Sequence, residues 1–69
     1  MKIKTKVITM NNTYVSLPVE ISKEKFKELK EFFKNKRENM TYLEIEIKDG
    51  YLFFPNKILQ ESIIKLEII

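Results

Sequence analysis

The 69-residue sequence contains no cysteine and no histidine. Their absence excludes disulfides, thiolate nucleophiles, imidazole bases and zinc sites built from sulfur or nitrogen ligands. Asp49 is the only aspartate, which excludes a carboxylate-rich calcium loop. A chain of this length buries only about 60% of its unfolded surface and needs disulfides, metals or oligomerisation for stability. Of these aids, oligomerisation is the one that the composition leaves open.

Glycine is almost absent as well, because Gly50 is the only one. A glycine-rich phosphate-binding loop is therefore excluded. The serines have explanations in strands, turns and helix caps, and so small a domain has little room for a pocket that would tune a glutamate or lysine for acid–base work. We predict no catalytic residue, no metal and no cofactor, and therefore no enzyme.

Long apolar runs are missing too. No segment approaches the roughly 20 apolar residues of a membrane-spanning helix. The first six residues carry three lysines and lack the apolar core of a signal peptide. The sequence predicts no membrane association and a cytoplasmic location.

The first half of the chain has a strand–strand–helix pattern. Residues 2–10 are rich in β-branched residues and alternate with lysine, and Asn11-Asn12 suits a two-residue hairpin turn. Residues 13–17 form the expected return strand, which Pro18 ends. Ser22 is a good N-cap for a helix over residues 23–37.

The second half has a strand–strand–strand pattern. Residues 42–48 alternate strictly between apolar and polar side chains, Asp49-Gly50 predicts a tight turn, and residues 51–54 return. Residues 56–60 are expected to form a turn or a short helical turn, and residues 62–69 a last strand. The prediction is one α+β domain over residues 1–69 in the order β-β-α-β-β-β. It has a mainly antiparallel sheet, with strong curling as an alternative, and one amphipathic helix packed on one face.

The strands carry more apolar surface than one helix can cover. The inner face of the second hairpin, which includes Ile45 and Phe54, is the expected seat of the helix, but the opposite faces are apolar as well. These second faces must close into a small barrel, meet another subunit or receive a foreign partner. We expect self-association, with a dimer favoured. The candidate residues of an oligomer or protein interface are Tyr42, Tyr51, Phe53, Ile63, Ile69, Ile8 and Met10.

Positive charge is concentrated in the first half of the chain. Residues 1–38 have a net charge of +5 and residues 39–69 a net charge of −2. At about 100° per residue, one side of the helix collects a basic stripe. It is either a candidate surface for an anionic ligand such as a phosphate backbone, or a solvated face whose lysine stems shield the core. The stripe consists of Lys23, Lys27, Lys30, Lys34 and Arg37.

These observations predict a small regulatory protein that acts by binding. The leading hypothesis is a homo-oligomer that modulates a protein partner, in the manner of inhibitors, adaptors and accessory proteins of mobile elements. The alternative is a nucleic-acid or nucleotide binder that uses the basic stripe. A small-molecule site at a subunit interface is a third hypothesis.

Overall fold

A computed structural model describes residues 1–35 and 37–69, with Arg37 described by its backbone alone. Within these residues the strands are β1 (Lys2–Ile8), β2 (Thr13–Val15), β3 (Val19–Glu20), β4 (Tyr42–Ile47), β5 (Gly50–Pro55) and β6 (Ile63–Ile68). The helices are α1 (Lys23–Asn35) and α2 (Asn56–Gln60), and a 3₁₀ turn at Arg37–Asn39 follows α1. The α+β class and the predicted element order are confirmed.

The described strands form two separate antiparallel sheets and not the closed barrel that the sequence allowed as an alternative. In the larger sheet β1 is central, with β2 and β3 along one side and β6 along the other. Val7 lies opposite both Tyr14 and Ile64. The smaller sheet is the β4–β5 hairpin. The molecule is flat, with extents of 30 × 29 × 17 Å.

A bulge separates β2 from β3 and links the two sheets. Lys6 pairs with Val15 and Ile3 pairs with Val19, so the return strand holds one extra residue. The Ser16 N–H donates to the Thr5 carbonyl at 2.9 Å, and the Ser16 Oγ accepts the Thr5 N–H at 2.8 Å. The next residue along, Leu17, donates its N–H to the Glu46 carbonyl of β4 at 2.8 Å.

The predicted turn at Asn11-Asn12 is wrong. Ile8 pairs with Thr13, which leaves a four-residue loop. Within it, the Thr9 N–H and Oγ1–H both donate to the Asn12 carbonyl. No described non-glycine residue has the positive φ that a type I′ turn requires.

The predicted Asp49-Gly50 turn is also displaced. Ile47 pairs with Gly50, so the turn residues are Lys48 and Asp49, and Gly50 begins β5 with a φ of 154°. Both hairpins are thus shifted by two residues from the expected register. Because side chains alternate with a period of two, this shift keeps the paired residues of each hairpin on their predicted faces.

The core lies between the two sheets under α2. Its buried side chains are Val7, Ile45, Phe54 and Leu59. Within the described residues, no α1 side chain belongs to this cluster or packs directly against it. The expectation that α1 sits on the inner face of the second hairpin is therefore wrong. The larger sheet and Leu59 of α2 occupy that place.

The helix α1 forms where the sequence predicts it. The Lys25 N–H donates to the Ser22 Oγ at 3.1 Å, which confirms the cap. Phe26, Leu29 and Phe33 are half-buried, and none of its residues is fully buried. Phe26 and Phe33 line a cleft together with Ile64 and Leu66, so α1 lies beside β6.

Candidate interaction surfaces

The outer surface of the β4–β5 hairpin carries three exposed aromatic residues, here called the aromatic face. Tyr42, Tyr51 and Phe53 are 54%, 57% and 60% exposed. The rings of Tyr42 and Phe53 lie 5.8 Å apart. These residues point outward because Ile45 and Phe54, at alternating positions, point into the core.

Two glutamates lie between the aromatic residues. Glu44 is directly opposite Phe53, and Glu46 is directly opposite Tyr51. Both are exposed, and neither carboxylate forms an ion pair with any of the described basic residues. The aromatic face is therefore an apolar strip with an acidic character.

The other candidate interface residues lie elsewhere, on the larger sheet. Ile8 and Ile63 are cross-strand neighbours at one end of it, with Ile63 exposed and Ile8 half-buried. Met10 is 95% exposed in the loop that follows β1. Ile69 lies at the opposite end, where its N–H donates to the Lys2 carbonyl. The seven candidate interface residues therefore lie in three separate regions of the surface.

The lysines of the basic stripe are exposed along α1. The Lys30 Nζ lies 5.5 Å above the Phe26 ring centre. Among the described side chains, the helix forms one ion pair, Lys25 with Glu28 at 3.8 Å, and Lys25 is outside the stripe. Lys23, Lys27, Lys30 and Lys34 have no acidic partner there. The side chain of Arg37, the fifth predicted member, lies outside the described residues.

A second basic surface covers the outer side of the larger sheet. Lys2, Lys4 and Lys6 alternate along β1, and Lys6 is 2.9 Å from Glu67 of β6. The hydrogen bond from Lys6, with the positive charges of Lys6 and Lys65, lowers the pKa of Glu67. This carboxylate partly neutralises the lysines around it.

The outer edge of β5 is a candidate interaction surface that was not predicted from the sequence. Among the described residues, β5 pairs with β4 alone and no hydrogen bond reaches its other edge. Its residues, Gly50–Pro55, carry no charge. The apolar composition was visible in the sequence, but an open edge depends on which strands pair.

The chain matches no protein-family model, no curated protein and no solved structure. Within the described ranges, neither helix has the length and apolar character needed to cross a membrane. In the same ranges no three acidic side chains come together as a metal site would require. The surfaces themselves are the basis for a functional proposal.

Proposed function

We propose that this chain is a small regulatory protein that binds a macromolecular partner through the aromatic face and works as a homodimer. The observation that carries the proposal is the exposure of Tyr42, Tyr51 and Phe53 together on one face of a single hairpin. Contiguous apolar patches of this kind mark interaction sites. Tyrosine and phenylalanine are enriched in interface cores, where they contribute much of the binding energy.

The chemistry of the aromatic face favours a protein partner over a nucleic acid. Glu44 and Glu46 would repel a phosphate backbone, whereas they complement lysine or arginine on a protein. The preferred partner surface is therefore an apolar groove bordered by basic residues. An inhibitor, an adaptor or an accessory protein of a mobile element would use such a face to occupy a site on a larger protein.

The solvent-accessible surface area of the chain supports an interface that buries part of this surface against another chain. The isolated chain exposes 5275 Å². A compact monomer of 8.3 kDa is expected to expose about 4,600 Å², an excess of about 700 Å². A standard interface buries about 800 Å² on each partner. The excess is thus of the size that one interface would cover.

Capture of partners from the native host tests this function. The variant Tyr42→Ser/Phe53→Ser removes two rings of the aromatic face, and Phe32→Ser removes an exposed ring from α1 as a matched control. We expect a specific partner to be retained by the wild type and the control and lost by the double variant, with circular dichroism unchanged in all three. Equal retention by the double variant would overturn the proposal.

The alternative is nucleic-acid binding by the basic stripe, and one observation favours it: four of its lysines lack an acidic partner among the described residues. Fluorescence anisotropy with oligonucleotides at increasing salt distinguishes the two functions. A binder loses affinity steeply with salt, with a slope of about one per phosphate contact. Lys27→Glu/Lys34→Glu should then reduce the slope, whereas Lys48→Glu/Lys57→Glu, with the same change of net charge, should not. No binding at low salt excludes this alternative.

A further inference from the structure

The four outer strand edges of the molecule differ in how well they are protected. The edge of β4 receives the N–H of Leu17, and β2 and β3 are short and separated by Pro18. The edge strand β6 carries two charged residues and runs beside α1. The remaining edge, that of β5, is uncharged, six residues long and unpaired in the described structure. Proteins rarely leave such an edge open, because it is a ready template for another strand.

The hydrogen-bonding pattern identifies which backbone groups that edge presents. Residues directly opposite each other in an antiparallel pair alternate between hydrogen-bonded and non-hydrogen-bonded pairs. Glu46 points its carbonyl away from β5, since that carbonyl accepts from Leu17. Glu46 with Tyr51 is therefore a non-hydrogen-bonded pair, and so is Glu44 with Phe53. The N–H and C=O groups of Tyr51 and Phe53 consequently point outward from the hairpin.

We propose that two copies of the chain dimerise by antiparallel pairing of their β5 strands, with Tyr51 of each copy opposite Phe53 of the other. This inference rests on the proposed function, because it specifies how the proposed homodimer forms. In this register Leu52 lies on the two-fold axis, opposite Leu52 of the second copy. All four outward N–H and C=O groups of each β5 then find a partner.

Shifting the two strands by two residues would place Tyr51 opposite Pro55 of the second copy. Proline has no N–H, so the Tyr51 carbonyl would remain without a donor. The turn at Lys48 and Asp49 limits pairing at the other end of the strand. The geometry therefore favours one register, and it is self-complementary, as a closed two-fold interface requires.

The distribution of charge points to a second copy as the occupant. Identical strands meet without like-charge repulsion because β5 carries no charge. The acidic residues lie on β4, so those of the two copies are three strand spacings apart, about 14 Å. That distance exceeds the screening length of about 8 Å at physiological salt.

The dimer leaves the proposed partner-binding surface open and doubles it. The side chains of Tyr51 and Phe53 stay on the outer face while their backbones pair. The joined hairpins form a four-stranded sheet on which Tyr42, Phe53 and Tyr51 of the second copy follow one another. The self-association site and the partner site therefore use the same strand in different ways.

The decisive variants remove a single N–H, which total chemical synthesis of a 69-residue chain permits. N-methyl-Phe53 deletes an outward donor of β5 and keeps the ring. N-methyl-Glu44 deletes an outward donor of β4 and serves as the matched control. Two lost hydrogen bonds per dimer should weaken dimerisation at least about 30-fold. We expect light scattering to give twice 8.3 kDa for the wild type and the control, and 8.3 kDa for N-methyl-Phe53.

A recombinant pair gives the same test without synthesis. Phe53→Pro removes the ring and the N–H, and Phe53→Thr removes only the ring. If the proline variant keeps the wild-type circular dichroism, it should be monomeric, while the threonine variant dimerises. If it unfolds, N-methyl-Phe53 decides. In a mixture of labelled and unlabelled wild-type chains, an intermolecular nuclear Overhauser effect between the two Leu52 Hα protons should report the register.

Three results would overturn the inference. They are a wild-type monomer at micromolar concentration, a dimer that N-methyl-Phe53 does not weaken, and equal weakening by both N-methyl variants. The second would point to another dimer surface, such as the one around Ile8 and Ile63. Capture of a partner by the aromatic face is measured independently, so a monomer that still captures its partner would refute the edge-to-edge dimer and leave the binding role intact.

Discussion

The shorter of the two helices of this protein contributes more to the buried core than the longer one. The 13-residue α1 contains no fully buried residue, whereas the five-residue α2 places Leu59, with no exposed surface, in the centre of the core. Amphipathic periodicity reports that a helix forms and which side is apolar. It does not report what covers that side. A helix at a central position in the fold therefore stabilises it more than a longer helix at its margin.

Truncating the central leucine of each helix tests this difference most strongly. Leu59→Ala should destabilise the protein by about 3 kcal/mol, since a fully buried leucine leaves a cavity. The matched change Leu29→Ala in α1 removes a half-buried side chain and should cost about 1 kcal/mol. Urea denaturation measures both. Equal losses would show that α1 is as integral to the core as α2.

The attachment of α2 can be broken at its first residue. The Asn56 Nδ2–H group donates to the Met40 carbonyl at 2.5 Å, and its Oδ1 accepts from Gln60 at 2.7 Å. Asn56→Ala should cost about 2 kcal/mol, because it leaves a partly buried carbonyl without its donor. Gln60→Ala removes only the exposed bond and should cost about 0.5 kcal/mol. If the two variants unfold at the same urea concentration, the link to Met40 contributes nothing.

The helix α1 depends on a side-chain N-cap, whereas α2 has none. Ser22→Ala should cost about 1 kcal/mol and reduce helical circular dichroism, because the Lys25 N–H loses its acceptor. Ser22→Asp keeps an acceptor and should retain both stability and signal. In contrast, α2 begins after Pro55 with no side-chain cap, so its stability comes from the packing of Leu59 and the hydrogen bonds of Asn56. A loss of stability in the aspartate variant equal to that in the alanine variant would count against capping as the cause.

The smallest expected effect is a pH dependence in β6, the strand that follows α2 and borders α1. The hydrogen bond from Lys6 lowers the pKa of Glu67 in the folded protein relative to the unfolded chain. Its stabilisation is complete above the ordinary glutamate pKa and is lost as the pH falls through the lowered value. Glu67→Gln should flatten this part of the stability curve. Chemical denaturation between pH 3 and 7, roughly the range in which a glutamate titrates, measures the difference.

Most of the aromatic face could be predicted because its signal is local. Strict alternation over residues 42–48 assigns Tyr42 outward and Ile45 inward, whatever the rest of the chain does. The turn prediction was less successful, since Asn11-Asn12 and Asp49-Gly50 were each expected to close a hairpin that closes elsewhere. The faces of the paired hairpin residues were still right, because an error of two residues in register does not change an alternation with a period of two.

The seat of α1 could not be predicted in the same way. Its half-buried side chains, Phe26, Leu29 and Phe33, would suit any apolar sheet face, and the sequence offered several. The segment around Asn56 decides which face is free for α1, because it places α2 over the inner face of the second hairpin. The grouping of interface candidates failed for a related reason, because Ile63 begins β6 whereas Ile69 follows the last residue of that strand.

Local patterns alone specify the α+β class, the existence of α1 and of five of the six described strands, and the side of the hairpin on which the aromatic residues lie. These follow from backbone geometry, which repeats every 2 or 3.6 residues and needs no distant partner. The short strand β3 was not predicted, because Pro18 was expected to end the return strand. The tertiary structure decides that Leu59 is central, that α1 is marginal, and that β5 is left with an open edge. Each of these depends on which strands pair and which surfaces meet, and such contacts join residues far apart in the chain.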